Sequence, residues 1–173
     1  MDLCQVYFTV IIDGKEVHSV ENPSPETFTN IRVFAGDNFK PAADASYRNL
    51  LWENFHVDHS FDFGAKIVAD KEIGTIDSWG PFFRVSFDLI IHSLKLKGQY
   101  STNSLDRSNV LNFMYENDAG KLLDVSFIHL HRSGYLEFSN FDGNFNYWFN
   151  FNIELGHWYN IIIEQKSVNG KVI

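Results

Sequence analysis

The sequence has almost no cysteine, no long apolar run and few basic residues. Cys4 is the only cysteine among 173 residues, so the chain forms neither an intrachain disulfide nor a thiolate zinc site. No apolar run approaches the roughly 20 residues that a membrane-spanning helix needs, and we expect no membrane insertion. Lys and Arg number 14 against 22 Asp and Glu, a net charge of −8. This acidic balance excludes the basic footprint typical of nucleic-acid and anionic-membrane binders.

Two further absences bear on chemistry and targeting. Cys4 lies in an apolar run that ends at Ile12, which predicts a packed thiol rather than a nucleophile. The stretch Met1–Leu3 has no positive charge and no separate apolar segment after it, so no signal peptide is visible. If the source protein is secreted, we expect its signal outside this chain.

Aromatic residues are abundant, at 16% of the chain. The overall composition, 45% hydrophobic and 21% charged, is that of one globular domain covering residues 1–173. Apolar residues recur at every second position, which is typical of strands with one buried face. The predicted strands are centred on Val6–Ile12, Thr29–Val33, Phe83–Ile91, Leu111–Tyr115, Phe145–Phe151 and Tyr159–Ile163.

Turn residues separate these runs at intervals of about ten residues. They include Asp13-Gly14, Asn117-Asp118-Ala119-Gly120, Ser133-Gly134 and Asp142-Gly143. No amphipathic helix of ten residues is found. The pattern predicts an all-β fold of two packed antiparallel sheets, with the aromatic residues filling the space between them.

The two ends of the chain read as the halves of one hairpin. His157–Lys166 predicts a strand, Asn169-Gly170 a turn, and Lys171–Ile173 the start of a returning strand that Val6–Thr9 would continue. We therefore expect the ends to lie close together, in a circular permutant or in a frame cut across two tandem repeats. Residues 56–66 are then a junction, with 1–55 the C-terminal and 67–173 the N-terminal segment of the usual order. Such a frame also allows a homodimer that forms by strand exchange.

Three stretches carry a resemblance to a known family. They are Phe28–Phe39 followed by Pro41–Ala45, Trp79–Leu89, and Gly156–Gln165. Together they resemble the concanavalin A-like lectin/glucanase jelly rolls on the laminin G-like side, in particular repeated secreted modules of invertebrates. The resemblance implies a jelly-roll sandwich with its segments in permuted order, a buried tryptophan, and a secreted or extracellular location. It covers about 140 residues in short pieces, so it bears on fold more than on function.

Enzymatic chemistry finds little support in the sequence. The glucanases of this superfamily carry paired carboxylates as E-x-D-x-x-E, and no such run exists around Glu137 or Glu154. No G-x-S-x-G elbow marks a nucleophilic serine, and Ser133-Gly134 is better explained as a turn. We predict that the chain is not an enzyme.

Two histidine groups are weak metal candidates. His129 and His131 share one strand face, and His56, Asp58 and His59 cluster in the predicted junction. Neither group has an obvious further ligand. A solvated strand edge and a polar linker are the simpler interpretations.

Calcium suits this sequence better than zinc, because oxygen ligands from loops are plentiful. One candidate combines Asp37 and Asn38 with Asp44, and another combines Asp118 with Asp142 and neighbouring asparagines. The resemblance favours calcium, since such jelly rolls often hold it at loop carboxylates. The same residues are also ordinary turn formers, so calcium stays an open candidate.

Sugar binding needs only a few planar polar side chains and an aromatic ring. One candidate site is the loop Asp37, Asn38 and Phe39. The other is a strip of alternate residues on one predicted strand: Asn144, Asn146, Trp148, Asn150 and Asn152. Amides donate and accept hydrogen bonds without charge, which suits a neutral glycan. The alternative is a solvated outer face, or amides that satisfy neighbouring loops.

The sequence therefore predicts a non-catalytic, lectin-like module that binds a glycan or glycoprotein. The alternative is a structural or adhesion module that binds protein or associates with itself. Binding to a glycan in competition with free sugar distinguishes the first from the second.

Overall fold

The alternating residues of the chain form β-strands. The computed structural model describes residues 5–36, 41–54, 58–61, 65–94, 107–139, 146–148 and 151–167. Within these ranges the secondary structure consists of strands without helices. The strands are β1 (Val6–Ile12), β2 (Lys15–Glu21), β3 (Phe28–Phe34), β4 (Asp44–Glu53), β5 (Asp58–Phe61), β6 (Ala65–Lys66), β7 (Glu72–Trp79), β8 (Phe83–Ser93), β9 (Arg107–Glu116), β10 (Leu122–His131), β11 (Leu136–Ser139), β12 (Asn146–Trp148) and β13 (Trp158–Ser167).

The described strands form two antiparallel sheets, which confirms the predicted all-β sandwich. Sheet A has the order β2-β1-β13-β8-β4-β5, with the short β6 also paired to β4. Sheet B has the order β12-β11-β10-β9-β3-β7. Neighbours within a sheet are often distant in sequence, as expected of a jelly roll rather than a meander.

An apolar core lies between the sheets, because the strands turn alternate residues inward. Trp79 is at its centre, with its ring centroid 4.8 Å from Phe83, 5.2 Å from Phe113 and 5.7 Å from Trp52. Trp79 is thus a buried tryptophan of the kind that the resemblance implies, whereas Trp158 is half-buried. The aromatic residues pack in tilted and edge-on arrangements, which their quadrupoles favour.

The first hairpin has the predicted turn. Asp13 (φ 50°) and Gly14 (φ 75°) both adopt left-handed conformations between β1 and β2. This is the geometry of a two-residue turn that matches strand twist. The turn places Asp13 next to the start of β13, where its backbone N–H donates to the Asn160 carbonyl at 2.9 Å.

The pairing of β1 with β13 brings the two described ends of the chain together. Val6 is the register partner of Ser167, and Ile12 that of Ile161. Residues 169–173, through which the predicted hairpin would continue, lie outside the described residues. The predicted junction 56–66 contains β5 and β6, both paired to β4. The permuted order and the strand-exchanged dimer stay predictions.

Candidate functional site

The outward side of sheet A presents a polar network. On β8 the residues between the core positions point away from sheet B, as do their register partners on β4 and β13. Asp88 on β8 is paired with Arg48 on β4 and with Asn160 on β13. These three side chains therefore lie side by side across the middle of the sheet.

Three donors converge on the Asp88 carboxylate. Asn160 Nδ2 donates to Oδ1 at 3.0 Å. Arg48 Nε and Asn49 Nδ2 both donate to Oδ2, at 3.0 Å and 2.9 Å. Each of these bonds involves a charged acceptor, and such bonds are stronger than those between neutral groups. The carboxylate therefore fixes the positions of two amides and one guanidinium.

Asn49 reaches Asp88 because β4 is irregular at this point. The register shifts between Arg48 and Leu51, and Asn49 has a φ of 54°. A bulge of this kind changes the direction of a side chain, and Asn tolerates the left-handed conformation better than most residues. Consecutive residues of β4 can thus both donate to one carboxylate.

An aromatic ring borders the network. The Arg48 guanidinium carbon lies 4.1 Å from the centre of the half-buried Trp158 ring, two residues before Asn160. The Arg48 side chain is 49% exposed, so this stack is at the surface. Asn160 is also held by the first hairpin, since its backbone N–H donates to Asp13 Oδ1 at 2.8 Å. We call Asp88, Arg48, Asn49, Asn160 and Trp158 the Asp88 cluster.

The cluster determines the protonation of its carboxylate. Burial alone would raise the pKa of Asp88, but the hydrogen bonds from Asn160, Arg48 and Asn49 and the charge of Arg48 outweigh it. The pKa of Asp88 is therefore lowered from its ordinary value. At neutral pH Asp88 is a fixed hydrogen-bond acceptor.

A shallow depression of about 230 Å³ lies further along the same sheet. Its lining includes Glu53 on β4, Arg84 on β8 and Glu164 on β13, which are register partners. Arg84 Nε lies 3.7 Å from Glu53 Oε2, and Lys166 forms an ion pair with Glu164.

A second titratable group is buried in sheet B. Glu137 on β11 is fully buried, with Oε1 3.2 Å from Arg107 Nη1. Its Oε2 lies 3.4 Å from His129 Nδ1 and 3.7 Å from His131 Nε2. The His131 ring stacks on Tyr135 at a centroid distance of 4.0 Å. We call Glu137, Arg107, His129 and His131 the Glu137 cluster.

The Glu137 cluster corrects one expectation. A solvated strand edge is wrong for His129 and His131, because both are buried. Alternation assigned them correctly to one side of a strand, but it contains no information on whether that side is covered. The buried Glu137 carboxylate beside them compensates the positive charge of Arg107.

Most of the sequence-predicted site residues lie outside the part of the chain that the structure describes. Asp37, Asn38, Phe39, Asp142, Asn144 and Asn150 lie outside the described residues. Asn146 and Trp148 are described by backbone only, on β12, where Trp148 is the register partner of Glu137 and Asn146 that of Ser139. Both sugar-site candidates therefore stay predictions.

The calcium candidates are placed only in part. Asp44 Oδ2 accepts a hydrogen bond from Ser93 Oγ at 2.9 Å, and Oδ1 lies 3.6 Å from Lys66 Nζ. Asp118 is exposed in the turn between β9 and β10. Over the described ranges, no group of three or more His, Cys, Asp or Glu side chains is arranged to hold a metal ion.

Sequence reasoning missed the Asp88 cluster. Asp88 is a polar position within the alternating run Phe83–Ile91, but its partners are 39, 40 and 72 residues away. The only local signal is a set of outward polar residues in otherwise apolar strands.

Comparisons with known proteins add no relationship. The chain matches no known protein family, no curated protein and no solved structure. In the described part of the chain, no helix is long and apolar enough to cross a membrane. The two-sheet sandwich is compatible with a jelly roll, and the narrower concanavalin A-like or laminin G-like identity stays a prediction.

Proposed function

We propose that this chain is a non-catalytic carbohydrate-binding module of a secreted or surface protein, with a concanavalin A-like topology, and that the Asp88 cluster binds the sugar. One observation carries the proposal. A carboxylate, two amides and a guanidinium are held in fixed positions on an exposed sheet face, beside a half-buried tryptophan.

These groups suit the recognition of hydroxyls. A sugar hydroxyl donates one hydrogen bond and accepts others, and the cluster offers amide oxygens as acceptors and amide and guanidinium N–H groups as donors. The stacked Arg48 and Trp158 side chains add a flat, partly apolar surface beside these hydrogen-bonding groups. Because Asp88 already orients its neighbours, less side-chain entropy is lost when a ligand binds.

The protonation state of Asp88 supports binding rather than hydrolysis. A glycosidase needs a carboxylic acid with a raised pKa to protonate the leaving oxygen. The pKa of Asp88 is lowered, so this group is a poor general acid.

A glycan array on the purified protein, with calcium and again with EDTA, tests the proposal. We expect selective binding to at least one glycan and no loss in EDTA, because amides and a guanidinium surround Asp88 where a metal ion would have to bind. Asn160→Ala and Trp158→Ala should each abolish glycan binding. Arg32→Ala is the control, since it breaks an exposed Arg–Glu pair on sheet B.

Three outcomes would contradict the proposal. A blank array on folded protein would favour the adhesion module, which sedimentation velocity would show as stable self-association. Loss of binding in EDTA would move the site to the loop carboxylates, including Asp37 and Asp44. If Asn144→Ala or Asn150→Ala lost glycan binding while Asn160→Ala kept it, the binding site would lie in the strip around β12.

A further inference from the structure

We infer that the site extends along sheet A from the Asp88 cluster to the depression beside Arg84, and that its ligand is an uncharged linear oligosaccharide rather than a single sugar. This inference rests on the proposed function, and it adds the length and the charge class of the ligand.

The two ends of the extended site lie on the same side of the sheet. Arg84 precedes Asp88 by four residues on β8, and Glu164 follows Asn160 by four residues on β13. An even spacing keeps strand residues on one side, and four residues of strand span about 13 Å. One sugar ring is too short to contact both ends.

The surface between the ends is continuous and half-buried. Ser86 on β8 is the register partner of Ile162 on β13 and of Leu51 on β4. None of the three is fully exposed. This row offers two apolar contacts and one hydroxyl, which matches the mixed apolar and hydroxyl character of a sugar chain.

The depression beside Arg84 forms one end of the extended site. Its lining also includes Phe83 and Gln165, which are both buried. Gln165 is fixed on both sides, because Oε1 accepts from Asn22 Nδ2 at 2.8 Å and Nε2 donates to the Pro81 carbonyl. Arg84 and Lys166 in the same lining are exposed, so a sugar can reach the depression from solvent.

The charges along this surface are neutralised in pairs. Arg48 pairs with Asp88, Arg84 with Glu53, and Lys166 with Glu164. The three pairs sum to zero charge, so this part of the sheet has no net charge to attract an anionic or a cationic sugar. Hydroxyls can bond to the paired groups as they stand. This arrangement favours an uncharged ligand.

Titration calorimetry with length series of neutral glycans tests the inference. The probes are cello-, xylo-, manno- and laminari-oligosaccharides of one to six units. For the series that binds, we expect affinity to rise by about tenfold or more between the disaccharide and the tetra- or pentasaccharide, then to level off. Arg84→Ala should remove most of this gain and leave the disaccharide affinity unchanged. Arg32→Ala, an exposed arginine on sheet B paired with Glu72, should match wild type at every length.

The failures of the two proposals are distinguishable. Affinity that is independent of length, or an Arg84→Ala variant with the full length gain, would overturn the extended site and leave the lectin proposal standing. Binding confined to sulfated or uronate glycans on the array would overturn the neutral class. A blank array and blank titrations would overturn both proposals.

Discussion

The buried carboxylate of Glu137 provides the sharpest test of the energetics. Glu137→Gln keeps the size of the side chain but removes its charge beside Arg107, His129 and His131. Removing one partner of a buried ion pair costs about 3–5 kcal/mol, because the remaining charge stays unsolvated. The Arg107 side chain is 31% exposed and can turn towards water. We therefore expect a loss near the lower limit, about 3 kcal/mol.

The assay is unfolding by guanidinium chloride, followed by tryptophan fluorescence at neutral pH. The midpoint should fall while the m-value stays unchanged. In a thermal scan, a loss of about 3 kcal/mol corresponds to a decrease in Tm of roughly 6–12 °C for a chain of this size.

Glu72→Gln is the matched control. Glu72 pairs with Arg32 on sheet B, with both side chains 35% exposed. An exposed pair contributes about 0–1 kcal/mol. Equal effects of the two substitutions, or a stabilising Glu137→Gln, would refute the assignment of Glu137 as the charge that compensates Arg107.

Three further predictions concern other parts of the molecule. Asp88→Asn should make the free energy of unfolding fall less steeply in acid than it does in wild type. The pKa of Asp88 is lowered in the folded state, so its carboxylate adds stability at neutral pH, and that stability is lost as the pH falls through this pKa. Unfolding curves recorded from neutral to acidic pH check this, and parallel profiles of variant and wild type would contradict it. Gly36→Ala should cost at least about 1 kcal/mol more than Gly156→Ala in the same assay, because both residues have positive φ but only at Gly36 would the new Cβ lie 2.7 Å from the Val68 carbonyl oxygen. Equal losses would show that the Val68 backbone yields without cost. Trp79→Ala should cost about 3–5 kcal/mol in denaturant unfolding, and a loss below 1 kcal/mol would place Trp79 outside the core.

The fold was predictable because period-two alternation is a local property of the chain. The alternating runs at Val6–Ile12 and Phe83–Ile91 are strands, and Asp13-Gly14 is the tight turn its residues predict. Trp79, which lies in one of the three resembling stretches, is buried in the core. Each of these conclusions depends on residues within a dozen positions of one another.

The candidate site could not be predicted in this way. Asp88, Asn49 and Asn160 meet only because β4, β8 and β13 are neighbours in sheet A, and a bulge is needed to turn Asn49 towards Asp88. The burial of Glu137 likewise depends on what covers sheet B, and strand periodicity carries no information about that. Long-range pairing and local irregularity therefore account for what sequence reasoning missed.

The position of β1 has a consequence for biosynthesis. Its seven residues pair with β2 immediately, but their other neighbour is β13, about 155 residues later in the chain. A ribosome adds about 5–20 residues per second, so this apolar strand waits many seconds for its partner. During that time the first hairpin presents an unpaired edge that other chains can join. Sheet A closes only after β13 has been made, and we expect the exposure of β1 until then to make chaperones important for the yield of native protein.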